Sequence, residues 1–226
     1  MPGTYSTQTT YLKFLQKINK NSTQFNIACD KGRFVLIFNE VKNRWVETNL
    51  KSKDSILIDN LRETINTASL VTPSKVTNDY VEYPLPEDYY EHILTKTTCE
   101  KNGCKGIVYS REIKNQNKNI LQFDENQRPD FNYEWTFNAI QSGNLRVYKR
   151  DFDILESETE YYSAIPDFDI AGYTNIQGQP SSDKPVIIIS DQYIDQIISL
   201  AAKEFMLDYE SESGVRAADA RINSQS

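Results

Sequence analysis

The spacing of apolar residues changes twice along the chain, and this constrains the fold more than any other feature. Tyr11, Phe14, Leu15 and Ile18 fall at i, i+3, i+4 and i+7, the spacing of one helix face. Polar turn formers from Asn19 to Ser22 end that helix. Phe34, Ile37, Phe38, Val41 and Trp45 repeat the helical spacing. Phe34 to Phe38 alone also reads as a buried strand, but the charged continuation Glu40, Lys42, Arg44 favours a helix. Asp54 suits the cap of a third helix with Leu57, Leu61 and Ile65 on one side. Pro86 suits the first helical position, and Glu87 and Asp88 the positive end of the helix dipole, which predicts a short helix over 83–95.

In the middle of the chain the period becomes two. Ile107-Val108-Tyr109 reads as a strand and the Asn/Gln/Lys run 115–119 as a loop. Phe131, Tyr133, Trp135, Phe137 and Ala139 alternate with polar residues, the pattern of a strand buried on one face. Ser142-Gly143-Asn144 is a turn, and Leu145 to Leu155 follows as a partner strand. Its pattern changes parity between Val147 and Phe152, which a bulge or burial on both faces would explain. Tyr161 to Ile165 suggests a further strand, and 172–184, rich in Gly, Pro, Gln and Ser, a loop. The helical period then returns. Ile194, Ile197, Ile198, Ala201, Phe205 and Tyr209 share a face, Ser190 suits the N-cap, and Ile189 with Ile194 forms a hydrophobic staple.

These patterns predict an α+β fold: a small helical bundle of N-terminal helices plus a long C-terminal helix, with an inserted antiparallel β-domain. The expected parts are an N-terminal helical part (1–72), the short helix (83–95), a β-rich insert (96–182), a C-terminal helix packing on the helical part (186–212) and a flexible tail (213–226). At 226 residues, with 38% hydrophobic and 25% charged, the chain can bury a core. No apolar run is long enough to span a membrane, and no basic stretch followed by an apolar one opens the sequence, so no signal peptide is expected.

Charge is unevenly distributed. Residues 1–53 hold nine basic residues against three acids, a local charge of +6, so the rest of the chain carries −13 of the net −7. From Asp151 to Asp169 there are seven acids and neither Lys nor Arg. Two unlike patches allow head-to-tail contacts between copies, or one partner at each end; the plainer reading is two solvated faces. The candidate interface residues are therefore Lys13, Lys17, Lys20, Arg33, Lys42 and Arg44 on one side and Asp151, Asp153, Asp167 and Asp169 on the other. The overall negative charge argues against tight binding to a nucleic acid backbone.

Signals for chemistry are sparse. A single histidine removes most His-base and zinc chemistry. Cys99 and Cys104, with His92 and a remote Cys29, form one close pair where a structural zinc site brings two; a hairpin turn at Asn102-Gly103 with the thiols flanking it is the better reading. The D-x-D pairs Asp151/Asp153 and Asp167/Asp169 would point the same way from a strand and hold Mg²⁺ or work as acid and base. They carry the alternative reading, a small acidic metal-dependent hydrolase. No phosphate-binding or nucleophile-elbow motif occurs. The expectation is no enzyme activity, no cofactor and no metal. The many tyrosines and phenylalanines read as core or as protein interface.

Helices, then a β-rich segment opened by Tyr83-Pro84-Leu85-Pro86-Glu87-Asp88-Tyr89, then the C-terminal helix opened by Ser190-Asp191-Gln192-Tyr193-Ile194-Asp195: this organisation resembles the head–tail connector (adaptor) proteins of tailed phages. The stretch Phe14 to Thr23, followed by Asp30-Lys31-Gly32-Arg33-Phe34 to Glu40 and by Trp45-Val46-Glu47, is similar to the ring proteins of crAss-like phages. The resemblance implies a helical bundle with an inserted β-domain and a structural virion protein. It implies a homo-oligomeric, dodecameric ring matching a portal, with portal, neighbouring ring or tail proteins as partners. DNA would pass only as cargo, no membrane would be involved, and the chain, made in the host cytoplasm, would sit at the portal vertex.

Overall fold

The computed structural model describes residues 4–19, 27–52, 61–113, 121, 124–175, 177–186 and 189–223, with side chains of the last helix up to Tyr209. The chain forms two compact units: residues 1–63 with 165–226, and residues 64–164. The fold is α+β, as the two periods predict, but the insert runs from Thr64 to Ala164 rather than over 96–182. Residues 165–186 belong to the helical unit.

In that unit α1 spans Thr7–Asn19, α2 Lys31–Lys51 and α3 Asp191–Asn223. Ser6 caps α1 by accepting from Thr9 N at 3.1 Å, and Asp30 caps α2 by accepting from Arg33 N at 2.9 Å, each satisfying a free first-turn N–H. The predicted faces of the helices are the buried ones at Phe14 and Ile18 of α1, Phe34, Ile37, Phe38, Val41 and Trp45 of α2, and Ile194, Ile197, Ile198, Ala201 and Phe205 of α3, whereas Tyr209, expected on the last face, is 42% exposed. Their centre is aromatic. Phe34 lies 4.6 Å from Phe14, 5.6 Å from Phe38 and 5.6 Å edge-on from Phe168, and Phe14 meets Phe205 at 5.7 Å. Such tilted and edge-on contacts suit the ring quadrupoles. Backbone helix continues to Asn223, past the predicted end near 212, giving α3 a length of about 50 Å. Of the helix expected at Asp54, residues 53–60 lie outside the described residues; Leu61 is buried and Ile65 opens a strand.

The inserted unit is an eight-stranded sheet: β1 (Ile65–Leu70), β2 (Lys75–Val76), β3 (Tyr80–Pro84), β4 (Tyr89–Lys101), β5 (Cys104–Glu112), β6 (Trp135–Gln141), β7 (Asn144–Tyr148) and β8 (Asp153–Ser163). Their order is β1-β8-β4-β5-β6-β7-β3-β2. Every pairing is antiparallel except β5–β6, which is parallel, so the insert is a mixed sheet. Asn102-Gly103 and Ser142-Gly143 make the tight hairpin turns, all four residues at positive φ, the two-residue turn whose twist matches that of the strands.

The helix expected over 83–95 is instead the end of β3, a turn and the start of β4. Pro86 starts a turn closed by Tyr89 N donating to Pro86 O, and Tyr83 is buried against Val81, Leu145 and Val147. Aromatic residues and the neighbouring strands outweigh the helix-start signals here. The strand expected from Phe131 begins only at Trp135, after Glu134 at φ +53°. The parity change after Val147 is neither bulge nor double burial: β7 stops at Tyr148 and β8 begins at Asp153.

Candidate assembly surfaces

Three of the basic residues expected to reach a partner are held by acids of the same chain. Lys42 is fully buried on α2, its ammonium donating to Ile165 O (3.1 Å), Pro166 O (2.9 Å) and Asp167 Oδ1 (2.9 Å). Burial pushes its pKa below the usual lysine range, with the Asp167 hydrogen bond opposing. A buried amine is no docking charge, so Lys42 leaves the candidate set. The sequence pattern missed this because a lysine at that helix position reads as solvated. Lys13 pairs with Asp195 at 2.9 Å, and Arg44 with Glu204 at 2.7 Å and Glu40 at 2.9 Å. Arg33 lies over the Phe205 ring, 5.1 Å from its centre. Lys17 is exposed, beside a groove between α1 and α3 lined also by Gln16, Gln192 and Gln196. Lys20 lies outside the described residues.

Acids of segment 183–195 also fasten the start of the chain. Asp191 accepts from Thr4 N (2.7 Å), the Thr4 hydroxyl and Tyr5 N (3.2 Å), and Asp183 accepts from the Thr7 hydroxyl and from Ala171 N (3.1 Å). The Thr4 hydroxyl bond leads the causes that hold the Asp191 carboxyl below its ordinary range. In the sequence Asp191 and Asp195 signal only the start of α3, and Asp183, eight residues before that helix, carries no signal of its own.

The stretch 151–169 is divided between the units. Asp151 pairs with Lys101 at 2.5 Å and Asp153 with Lys149 at 2.9 Å in the sheet unit. In the helical unit Asp167 takes Lys42, and Asp169 accepts from the Tyr173 hydroxyl (2.8 Å) and from Ile170 N and Ser182 N (2.9 and 3.2 Å). Asp167 and Asp169 are not in a β-strand of the sheet; Asp169 bridges Lys184. Each carboxylate of the D-x-D pairs is engaged by a donor of its own chain.

The thiols do not flank the hairpin turn as a cross-strand pair. Cys104 stands opposite Lys101 and Cys99 opposite Gly106. Burial pushes the Cys99 thiol up to about 12, and Cys29 to about 11 with Asp30 adding to the effect, far from a reactive thiolate. His92, expected on a helix, lies on β4. Its Nε2 is 2.9 Å from Thr95 Oγ1 and its Nδ1 3.3 Å from Glu112 Oε2. This is the order of hydroxyl, imidazole and carboxylate of a nucleophile system. Here, however, the Thr95 hydroxyl donates to Thr159 Oγ1 (3.1 Å) and Thr95 is wholly buried. The set continues through Asn138 Nδ2 to Ser110 Oγ (2.7 Å), Ser110 Oγ to Thr95 O (3.2 Å), and Thr97 with Ser157 (3.1 Å). It fastens β4 to β5, β6 and β8. Among the described residues no group of three or more His, Cys, Asp or Glu is placed to hold a metal ion.

Further open surfaces occur on each unit among the described residues. On the sheet unit Asp130 Oδ1 accepts from Asn132 N (2.8 Å) and Tyr133 N (3.3 Å). This turn leaves Tyr133 82% exposed at a cleft with Arg111, Arg128 and Trp135. On the helical unit a groove between α2 and α3 is floored by Val41 and Trp45 and edged by Arg44, Leu200, Lys203, Glu204 and Leu207. Among the described residues no helix is long and apolar enough to cross a membrane. No family model matches the chain, and no curated protein matches it.

Proposed function

We propose that the chain is a structural subunit of an oligomeric ring at the head–tail junction of a tailed phage, bound to the portal, and that it works by assembly rather than by catalysis. The observation that carries this reading is the architecture: both chain ends build one helical unit, and a β-unit is inserted between them. That is the arrangement implied by the similarity of residues 83–89 and 190–195 to connector proteins, beside that of residues 14–23, 30–40 and 45–47 to the ring proteins of crAss-like phages. The hydrogen-bonded hydroxyls of the sheet interior agree with it, because they spend their polarity on strand registry.

The charge argument takes a narrower form than the sequence suggested. Lys13, Lys42 and Arg44 neutralise acids of their own chain and Arg33 lies over the Phe205 ring, so Lys17 is the described basic residue of that set left to meet a neighbour. The outward face of β8, with Glu156 and Glu160, is the acidic counterpart, Glu158 being taken by Lys96 at 2.5 Å. A ring contact joins unlike patches, and these two are unlike. The test is the mass of the purified chain, alone and mixed with a portal protein. A multi-copy ring, alone or on the portal, is the expected result, with Lys17→Glu weakening it more at low salt than at high salt. A single copy in both samples would overturn the proposal.

A further inference from the structure

We infer that the face of α3 carrying Leu200, Lys203, Glu204 and Leu207 pairs with the same face of a second copy, the two helices running antiparallel. Spacings of i, i+3, i+4 and i+7 put the four residues on one stripe. That stripe is distinct from the one that buries Ile194, Ile197, Ile198, Ala201 and Phe205 in the core. Leu200 is 45% exposed and Leu207 58%. Two large exposed leucines two turns apart are more than scattered surface apolar residues, because the apolar floor of Val41 and Trp45 continues beneath them.

The stripe is self-complementary. A two-fold axis crossing α3 between Lys203 and Glu204 sets Leu200 against Leu207 of the second copy, and Lys203 against Glu204 of the second copy. A parallel pair would instead oppose Lys203 to Lys203 and Glu204 to Glu204, which like charges disfavour. Glu204 already receives Arg44 through Nη1 at 2.7 Å and Nη2 at 3.3 Å, and a carboxylate has lone pairs for a further donor. Among the described residues Lys203 has no carboxylate within ion-pair distance. This charge match selects a second copy over a foreign helix as the occupant. The contact is isologous and closes on two copies. It is therefore separate from any ring contact and does not rest on the connector reading.

The test is sedimentation of the full chain up to about 100 µM, a range that captures a small interface of modest affinity. The wild type is expected to show a monomer–dimer equilibrium. Leu200→Asp/Leu207→Asp and Leu200→Lys/Leu207→Lys should each weaken it at least tenfold, with unchanged circular dichroism melting because the sites are exposed. Mixing the two variants should restore a heterodimer. In a Cys104→Ser background, Leu200→Cys mixed with Leu207→Cys should cross-link, whereas neither alone should do so as readily. A wild type that stays monomeric, a double-Asp variant that associates like wild type, or preferential 200–200 cross-linking would overturn the inference. A wild type that forms the ring but no two-copy species, with the ring unchanged in both double variants, would overturn it while leaving the connector proposal standing.

Discussion

The helical unit and the sheet unit handle burial in opposite ways. The helical unit closes over packed rings, with Phe34 at the centre of Tyr11, Phe14, Phe38 and Phe168. Its buried cation Lys42 joins α2 to a segment more than a hundred residues away in sequence. The sheet unit buries Thr95, Thr97, Ser110, Thr136, Asn138, Ser157 and Thr159, and its apolar residues fall into small clusters along the strands. A core of rings gains from area removed from water and suffers from cavities. A core of hydroxyls gains little net energy per bond, but it fixes registry, because a slipped strand would orphan several buried groups at once.

That contrast orders the expected effects of substitution. The largest is Phe34→Ala, expected to cost about 3–5 kcal/mol through lost burial and an unfilled cavity and read as a lower urea midpoint. A loss well below 1 kcal/mol would show that the rings are not the core. Lys42→Met comes next, at about 1–3 kcal/mol, since Ile165 O, Pro166 O and Asp167 lose their donor while the stem volume is kept. This pair also has a pH signature. With the folded pKa of Lys42 below its ordinary 10.5, the unfolded chain binds the extra proton between the two values. Stability relative to Lys42→Met therefore rises with pH up to about 10.5 and falls as pH drops through the folded pKa. Urea titrations of both proteins across the alkaline range check it.

In the sheet unit, Gly103→Ala and Gly143→Ala should each cost about 1–2 kcal/mol. Their φ angles are +81° and +75° with nothing within 4 Å of an added Cβ, so the loss is backbone strain alone and sharpens the case for turn-fixed registry. The smallest effect is Thr97→Val, about 0.5–1.5 kcal/mol for the lost bond to Ser157. A loss as large as that of Phe34→Ala would erase the contrast. A separate alkaline effect belongs to Tyr161, which burial first and then Asp88 push up to about 12. The unfolded tyrosine ionises near 10 and the folded one does not, so stability falls above that pH, and Tyr161→Phe should flatten the decline.

The two units were unequally legible in the sequence. Helical stripes such as Phe34–Ile37–Phe38–Val41–Trp45 announce themselves because burial there follows apolarity. The turns at Asn102-Gly103 and Ser142-Gly143 did so because their backbone demands those residues. The interior of β4 and β8 did not: Thr95, Thr97, Ser157 and Thr159 alternate with Lys96, Thr98, Glu156, Glu158 and Glu160, so polar faces polar and the pattern looks solvated throughout. The segment 83–95 carried true helix-start residues whose preference the neighbouring strands overrode. For the candidate site, the charged residues were visible but their partners were not. Lys13 with Asp195 and Lys42 with Asp167 meet across more than a hundred residues of sequence, and only the fold brings them together.

The central claim is that this chain is built to assemble at a head–tail junction. Electron cryomicroscopy of the portal vertex in virions that carry the chain tests it most directly. The account predicts a ring of copies against the portal, with the helical and sheet units both fitting the density of each subunit. Tailed virions whose portal vertex holds no copy of the chain would contradict it.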